Sequence, residues 1–491
     1  MLSKSIGYRQ SMISGKGAAS PSGTKPTYSV TYTPVAEHYA NSTLYNQIDV
    51  LVDSSLGSGN VIYAEITDIA NSKLESNTMQ SSATDANGNV SFSFVFVPTS
   101  YDNVTDNFTI NIRTGDPTTG EIVNSQTGNL TSTTANVTAT ADPSYSSSLT
   151  TGTANGKTYY RYIAWNVLSS AGDQTTTGKF ETSDYVTVNV FAVAGGGAGG
   201  AENNTGYLPG GGGAGAVYTE TDIVLTSTSS NVVTAGGGGL LGYYGANTTN
   251  NFSSLGANEG NGSDTVVFGT RAFGGGRGGY GNLTLSGANA NVTYRGTASD
   301  YSLDHCANIG NVSAQFTGSG GGQCGEISTF VDSSFFNTGG IAFPISGNYP
   351  YNYDICSEGN VAFPAGDNAV FYSYAGGGTS NQAAYNNIGC GGGGASAIGA
   401  NPASGSSNIS GGAGIVNNYT GANITYARGG NGMSSSTSSG GGGTSPGSLI
   451  ALGHGGYAIN ENRTAGYENS GGGGIVILQL QGNVNHSVVL D

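Results

Sequence analysis

Four histidines (His38, His305, His454, His486) and four cysteines (Cys306, Cys324, Cys356, Cys390) hold most of this chain's capacity for base, nucleophile or metal chemistry. No histidine lies in a helical HExxH pattern, and no GxSxG joins a strand to a helix. Zinc hydrolysis and the strained serine elbow therefore lack their signatures. Asp304-His305-Cys306 is the densest polar cluster, and as a site it needs partners from distant segments. The cysteines lack any CxxC spacing, which argues against structural zinc. Four cysteines allow three pairings, so disulfides and buried thiols both stay open. Gly152-Thr-Ala-Asn-Gly-Lys-Thr158 imitates a phosphate loop but has one residue too few between its glycines. It also precedes an aromatic strand instead of a helix, and so reads as a turn. Paired carboxylates on a repeating β-helix are not visible either. The expectation is a protein without enzymatic activity, cofactor or metal.

Recognition is the chemistry that remains. A glycine-poor stretch holds Tyr349, Tyr351, Tyr353 and Asp354, followed by Tyr372 and Tyr374. Tyrosine offers a flat apolar face with a hydroxyl at its tip, which suits glycan or protein surfaces. The same tyrosines also suit packing of an insert's own strands or a seam between copies. Both readings stand at this point.

Charge narrows the partners. Charged residues are 9% of the 491, and the net charge is −16. Residues 1–36 carry Lys4, Arg9, Lys16 and Lys25 and no acid, so the rest of the chain is strongly acidic. An acidic body repels phosphate, which excludes nucleic acid as its partner. No apolar run reaches the ~18 residues of a membrane span. No apolar segment follows the first basic residues, so a signal peptide is not expected. Residues 1–26 have no periodicity that could bury a face. They read as an extended arm, with Lys4, Tyr8, Arg9, Lys16 and Lys25 as docking residues.

From Thr27 apolar residues recur at every second position: Tyr28, Val30, Tyr32; Ile48, Val50, Val52; Val90, Phe92, Phe94, Phe96; and Phe108, Ile110, Ile112. Such alternation marks strands with one buried face. Turn formers separate them, and Asp85-Ala-Asn-Gly-Asn89 reads as a hairpin turn. Residues 27–140 are expected to form an immunoglobulin-like sandwich, without cysteines to bridge its sheets. Residues 141–157 read as a linker, 158–482 as a glycine-rich β domain with an insert at about 304–390, and 483–491 as a tail. Of 85 glycines, 71 lie in residues 191–491, many in runs next to β-branched or aromatic segments. Ordered glycine runs need a partner for every backbone N–H and C=O. Polyglycine II helices meet that need, with three residues per turn and no Cβ to keep neighbours apart.

Val186–Gly200 (VTVNVFAVAGGGAGG), followed by Leu208–Leu225 (LPGGGGAGAVYTETDIVL), resembles the glycine-rich domain of tailed-phage fibres and adhesins. Thr270–Tyr280 and the closing Ser470–Leu478 match in order, and Tyr159–Asn166 sits at the family's opening strand. Asn107–Val123 is similar to the end of Ig-like repeats in phage structural proteins. The resemblance implies a jelly-roll-like sandwich carrying a polyglycine II bundle in a homotrimeric virion appendage. It further implies attachment to other virion proteins through residues 1–26 and binding of a host-surface glycan or protein. A capsid decoration fibre without a dedicated receptor, or less readily a secreted glycine-rich matrix protein, fits the same parts.

Overall fold

Alternating burial builds the first half. The computed structural model describes residues 8–10, 25–35, 46–97, 106–142, 149–164, 175–200, 209–229, 231–239, 260–278, 319, 369–374, 376, 389–400, 409–432, 452–458 and 470–491. Among them there is no α-helix, and the fold is all-β with several antiparallel sheets. Strands β1 (Tyr8–Gln10), β2 (Tyr28–Val35), β3 (Gln47–Ser54) and β6 (Asn89–Val95) form one sheet in the order β1-β2-β3-β6. Facing it are β4 (Val61–Thr67), β5 (Met79–Ala83), β7 (Asp106–Thr114) and β8 (Glu121–Thr134). The alternating residues named above meet Ile62, Ala64, Ile66 and Leu130 in one buried cluster. With no cysteine to bridge the sheets, buried Tyr32 donates its hydroxyl across them to Asn124 Oδ1 at 2.8 Å.

Three expectations need correction. Asp85–Asn89 is a turn, with Asp85 Oδ1 accepting from the N–H groups of Asn87 and Asn89, but not a hairpin. It carries the chain from β5 in one sheet to β6 in the other. Residues 483–491 are no tail. They form β22 (Val484–Leu490), which pairs with β8 and completes a sheet of order β22-β8-β7-β4-β5. The linker 141–157 contains β10 (Leu149–Ala154), a strand with one buried side chain and hence almost no apolar pattern. A two-residue turn at Asn155 and Gly156, both with positive φ, joins it to β11 (Lys157–Ile163). That turn is the phosphate-loop imitation.

The second half is layered. β9 (Val137–Ala141) already belongs to it, paired with β12 (Thr176–Thr182). With β15 (Val232–Ala235), β16 (Thr265–Val267) and β17 (Thr270–Ala272) they form a sheet of order β17-β16-β15-β12-β9. Opposite lie β13 (Val186–Val193), β14 (Val217–Leu225), β18 (Val370–Tyr372) and β21 (Ile475–Gly482), in the order β10-β11-β21-β13-β14-β18. β13 and β21 are buried on both faces, which explains their nearly continuous apolar runs. Val188, Val190, Val476 and Leu478 point between the sheets. Phe191, Val193, Ile475 and Ile477 point the other way, onto a ribbon of β19 (Ile415–Asn417) and β20 (Ile424–Tyr426).

β13, β15, β17 and β20 each run into a glycine segment at one end of this sandwich. These segments bond to one another with a three-residue rhythm. Ala194, Gly197 and Gly200 donate to Ala216, Gly213 and Gly210 of one neighbour, while Gly195 and Ala198 donate to Ser263 and Gly260 of another. In 211–216, successive N–H groups go in rotation to 390 and 393, to 456 and 453, and to 276 and 273. Carbonyls of the same segment accept from Gly197, Gly430 and Ser319. Every N–H of this segment and the carbonyls of Gly212, Gly213, Ala214 and Ala216 thus find partners, in directions all round its axis. A Cβ built on Gly392 would land on the carbonyl oxygen of Gly212, and one on Gly471 on that of Gly196. Gly392→Ala and Gly471→Ala should each destabilise the protein by about 1–3 kcal/mol, the range of small-to-large changes in packed cores. Gly57, with nothing within 4 Å of its would-be Cβ, is the control. Urea melts in which all three alanine variants match wild type would mean that the runs are not tightly packed.

Candidate functional site

The glycine segments have a sheet end and a far end. At the sheet end, buried Thr265 donates its hydroxyl to Val193 O and accepts the Gly236 N–H, both at 2.9 Å. This pins three strand ends where the runs begin. At the far end Gly200 donates to Gly210, Ala198 to Gly260, Gly278 to Ala198, Gly471 to Gly239, Ala458 to Asn431, and Gly432 to Ile409. Described residues 200 and 209, 239 and 260, 400 and 409, 458 and 470, and Gly278 therefore all lie at this one end. The far end is thus the part of the fold most able to vary in length and chemistry without disturbing a sheet.

The residues singled out from sequence are not brought together. Tyr372 lies on edge strand β18, opposite Val217, and its half-buried ring packs on the cluster of Phe191 and Tyr426. Tyr374 enters the bundle, where its N–H meets Ser319 Oγ at 3.3 Å. Packing accounts for the Tyr372 ring. Tyr349, Tyr351, Tyr353 and Asp354 lie outside the described residues, as do Lys4, Lys16, Cys306, Cys324 and Cys356. Cys390 is buried, and its carbonyl accepts the Gly211 N–H. Tyr8 and Arg9 belong to β1, in register with Tyr32 and Thr31, so part of the arm adds to the protein's own sheet. Lys25 pairs with Glu121 at 2.8 Å, both well exposed, an arrangement that contributes little.

No protein-family model matches the chain, and no curated protein matches it. Among the described residues, no group of three or more His, Cys, Asp and Glu side chains is placed to hold a metal ion. No helix among them is long and apolar enough to cross a membrane.

Sequence reading missed Ser319. It interrupts Gly318–Gly322, and that interruption hides a glycine run. Its backbone bridges Gly276 and Ala214, while its hydroxyl donates to Gly394 O at 2.9 Å. His454 was visible only as a histidine without partners. It sits buried between glycines, its carbonyl accepting from Gly472 and its ring Nε2 3.3 Å from Thr425 O. Burial holds its pKa down at about 4, against the ordinary 6.5; the Thr425 contact opposes this and nearby Arg428 reinforces it. The native state keeps this ring neutral, while the unfolded chain protonates it below about 6.5. Stability from His454 is therefore full above pH 6.5, falls as pH drops to about 4, and is constant below that. The loss is on the order of 3 kcal/mol. Denaturant melts at pH 7.5 and 4.0 should show wild type losing more stability than His454→Gln by roughly that amount. Equal losses would remove the assignment.

Proposed function

We propose that this chain is a structural virion appendage of the fibre or adhesin type. It attaches to a particle through its N-terminal part and presents the far end of the glycine segments to a host surface. The observation that carries the reading is that glycine segments ending at Gly200, Gly239, Gly278, Ala400 and Ala458 all finish at the same end of the bundle, away from the sheets. β21 is preceded by Gly474 of the bundle and followed, after Asn483, by β22 of the first sandwich. Along β22, β21 and Gly474 the chain thus joins the first sandwich, the second sandwich and the glycine segments in that order.

On this reading the first sandwich is an Ig-like spacer and the second a jelly-roll-like base. The glycine segments are polyglycine II helices, supported by their three-residue rhythm and by carbonyl oxygens that lie where a Cβ would be. The low charge, acidic body and basic arm suit docking to an acidic tail or capsid surface, with trimers as the expected form. The tyrosine-rich stretch Tyr349–Asp354 lies in the connection between Ser319 and β18, so a host glycan or protein remains the proposed ligand. A capsid decoration fibre shares every part except the receptor.

Two experiments divide these readings. Purified full-length protein, added to host cells before virions, should reduce adsorption in proportion to its concentration. Unchanged adsorption together with antibody labelling on the head favours the decoration fibre. Absence of label anywhere on virions overturns the appendage reading. Deleting residues 1–26 should leave both sandwiches folded, because β1 contributes only three paired positions. The truncated protein should no longer join particles that lack the wild-type chain. Incorporation at the wild-type level would move the anchor to the first sandwich.

A further inference from the structure

We propose that β22 is a completion clasp: the first sandwich, although it precedes the second half in sequence, is finished only by a strand that follows that half, once the half has formed. The pairing is extensive. β22 runs antiparallel to β8 from Val484 opposite Thr134 to Leu490 opposite Gly128. Val488 and Leu490 are 6% exposed and belong to the first sandwich's core. Removing them would open that core beside Leu130 and Phe108.

The acceptor strand is shaped for this partner. A Cβ at Gly128 would meet the Phe108 ring at 2.5 Å and the Val489 carbonyl oxygen at 2.6 Å, so glycine there admits both. The chain end is held as well. Gln126 Nε2 donates to Asp491 O at 2.9 Å, Asn129 Nδ2 to Asp491 Oδ1 at 3.1 Å, and Asn46 Nδ2 to His486 O at 3.1 Å. Thr131 and Ser487 share a hydroxyl hydrogen bond of 2.6 Å.

Position in the chain makes the strand conditional. One residue, Asn483, separates β22 from β21, which is in the interior of the six-stranded sheet between β11 and β13. Asn483 is itself fixed, exchanging hydrogen bonds with Ala135 between β8 and β9. Asn485 Nδ2 reaches Tyr185 O in the second half at 3.0 Å. β22 therefore arrives at β8 with its place set by a sheet that must already hold β21. Without it β8 is an open edge above an incomplete core. A device of this kind gives truncated chains an unfinished N-terminal half. Its use in screening chains before attachment rests on the function proposed above, whereas the clasp itself does not.

Trypsin sites report each half separately. Lys73 and Arg113 lie in the first sandwich, Lys179 and Arg271 in the second half. In the full-length chain, Val488→Asp with Leu490→Asp should speed cleavage after Lys73 and Arg113 by about tenfold or more, since cutting requires local opening. Cleavage after Lys179 and Arg271 should stay at the wild-type rate. Val489→Asp, at a site 49% exposed, should change neither pair. Wild-type rates at all four sites in the double variant would overturn the clasp. Equal acceleration at all four would overturn it too, because the chain would then be one cooperative unit.

Discussion

Backbone carbonyls in this molecule lie where other proteins place side chains. The second half depends on that close approach. A carbonyl of one glycine segment fills the space a Cβ would take on the next, so neighbouring N–H groups come within bonding distance on all sides. Burial without such partners would cost more than the segments could recover, because glycine loses more backbone freedom on ordering than any other residue. Ordinary apolar packing then takes over at the sheet end, where Val193, Ile475 and Ile477 seal one face of the sandwich. The two kinds of core are continuous through Thr265 and Gly474.

Rigidity between the halves has a different origin. Two strand pairs cross the junction, β8 into β9 and β21 into β22, and Ala135 and Asn483 bond to each other where they cross. A single linker would leave the halves free to turn about each other. Here a rotation must break paired backbone on both crossings. Side-chain amides reinforce the junction, Asn483 bonding to Ala135 O and Asn485 to Tyr185 O.

Period-two burial was legible wherever a strand has one wet face. Val30, Val50, Phe94 and Ile110 all point inward as their spacing predicts. Strands with little to bury were not legible: β10 hides only Ala154, and β22 adds two core residues at the end of the chain. Pairing partners far apart in sequence leave no local trace, which is why the last residues read as a tail. Glycine runs were visible where unbroken and hidden where interrupted, as at Ser319 and His454. Of the recognition residues chosen by type, Tyr372 packs its ring on a buried cluster. Aromatic composition alone does not separate a ring that meets a ligand from one that meets Phe191. What marks the far end is the convergence of backbone exits, and no single residue type encodes it.

One detail of the glycine segments bears on how such a molecule diversifies. Segment 211–216 lies antiparallel to 273–276 and 453–456 but parallel to 390–393. A sheet would have to adjust its bonding pattern to each direction, whereas this glycine segment bonds neighbours of either polarity through the same backbone atoms. A further glycine segment could therefore be added beside it in either direction without rethreading the rest. Change of that sort enters as blocks of sequence, by recombination or duplication. It is largely closed to point mutation within the segments, because nearly every substitution there adds the one atom the scaffold has no room for.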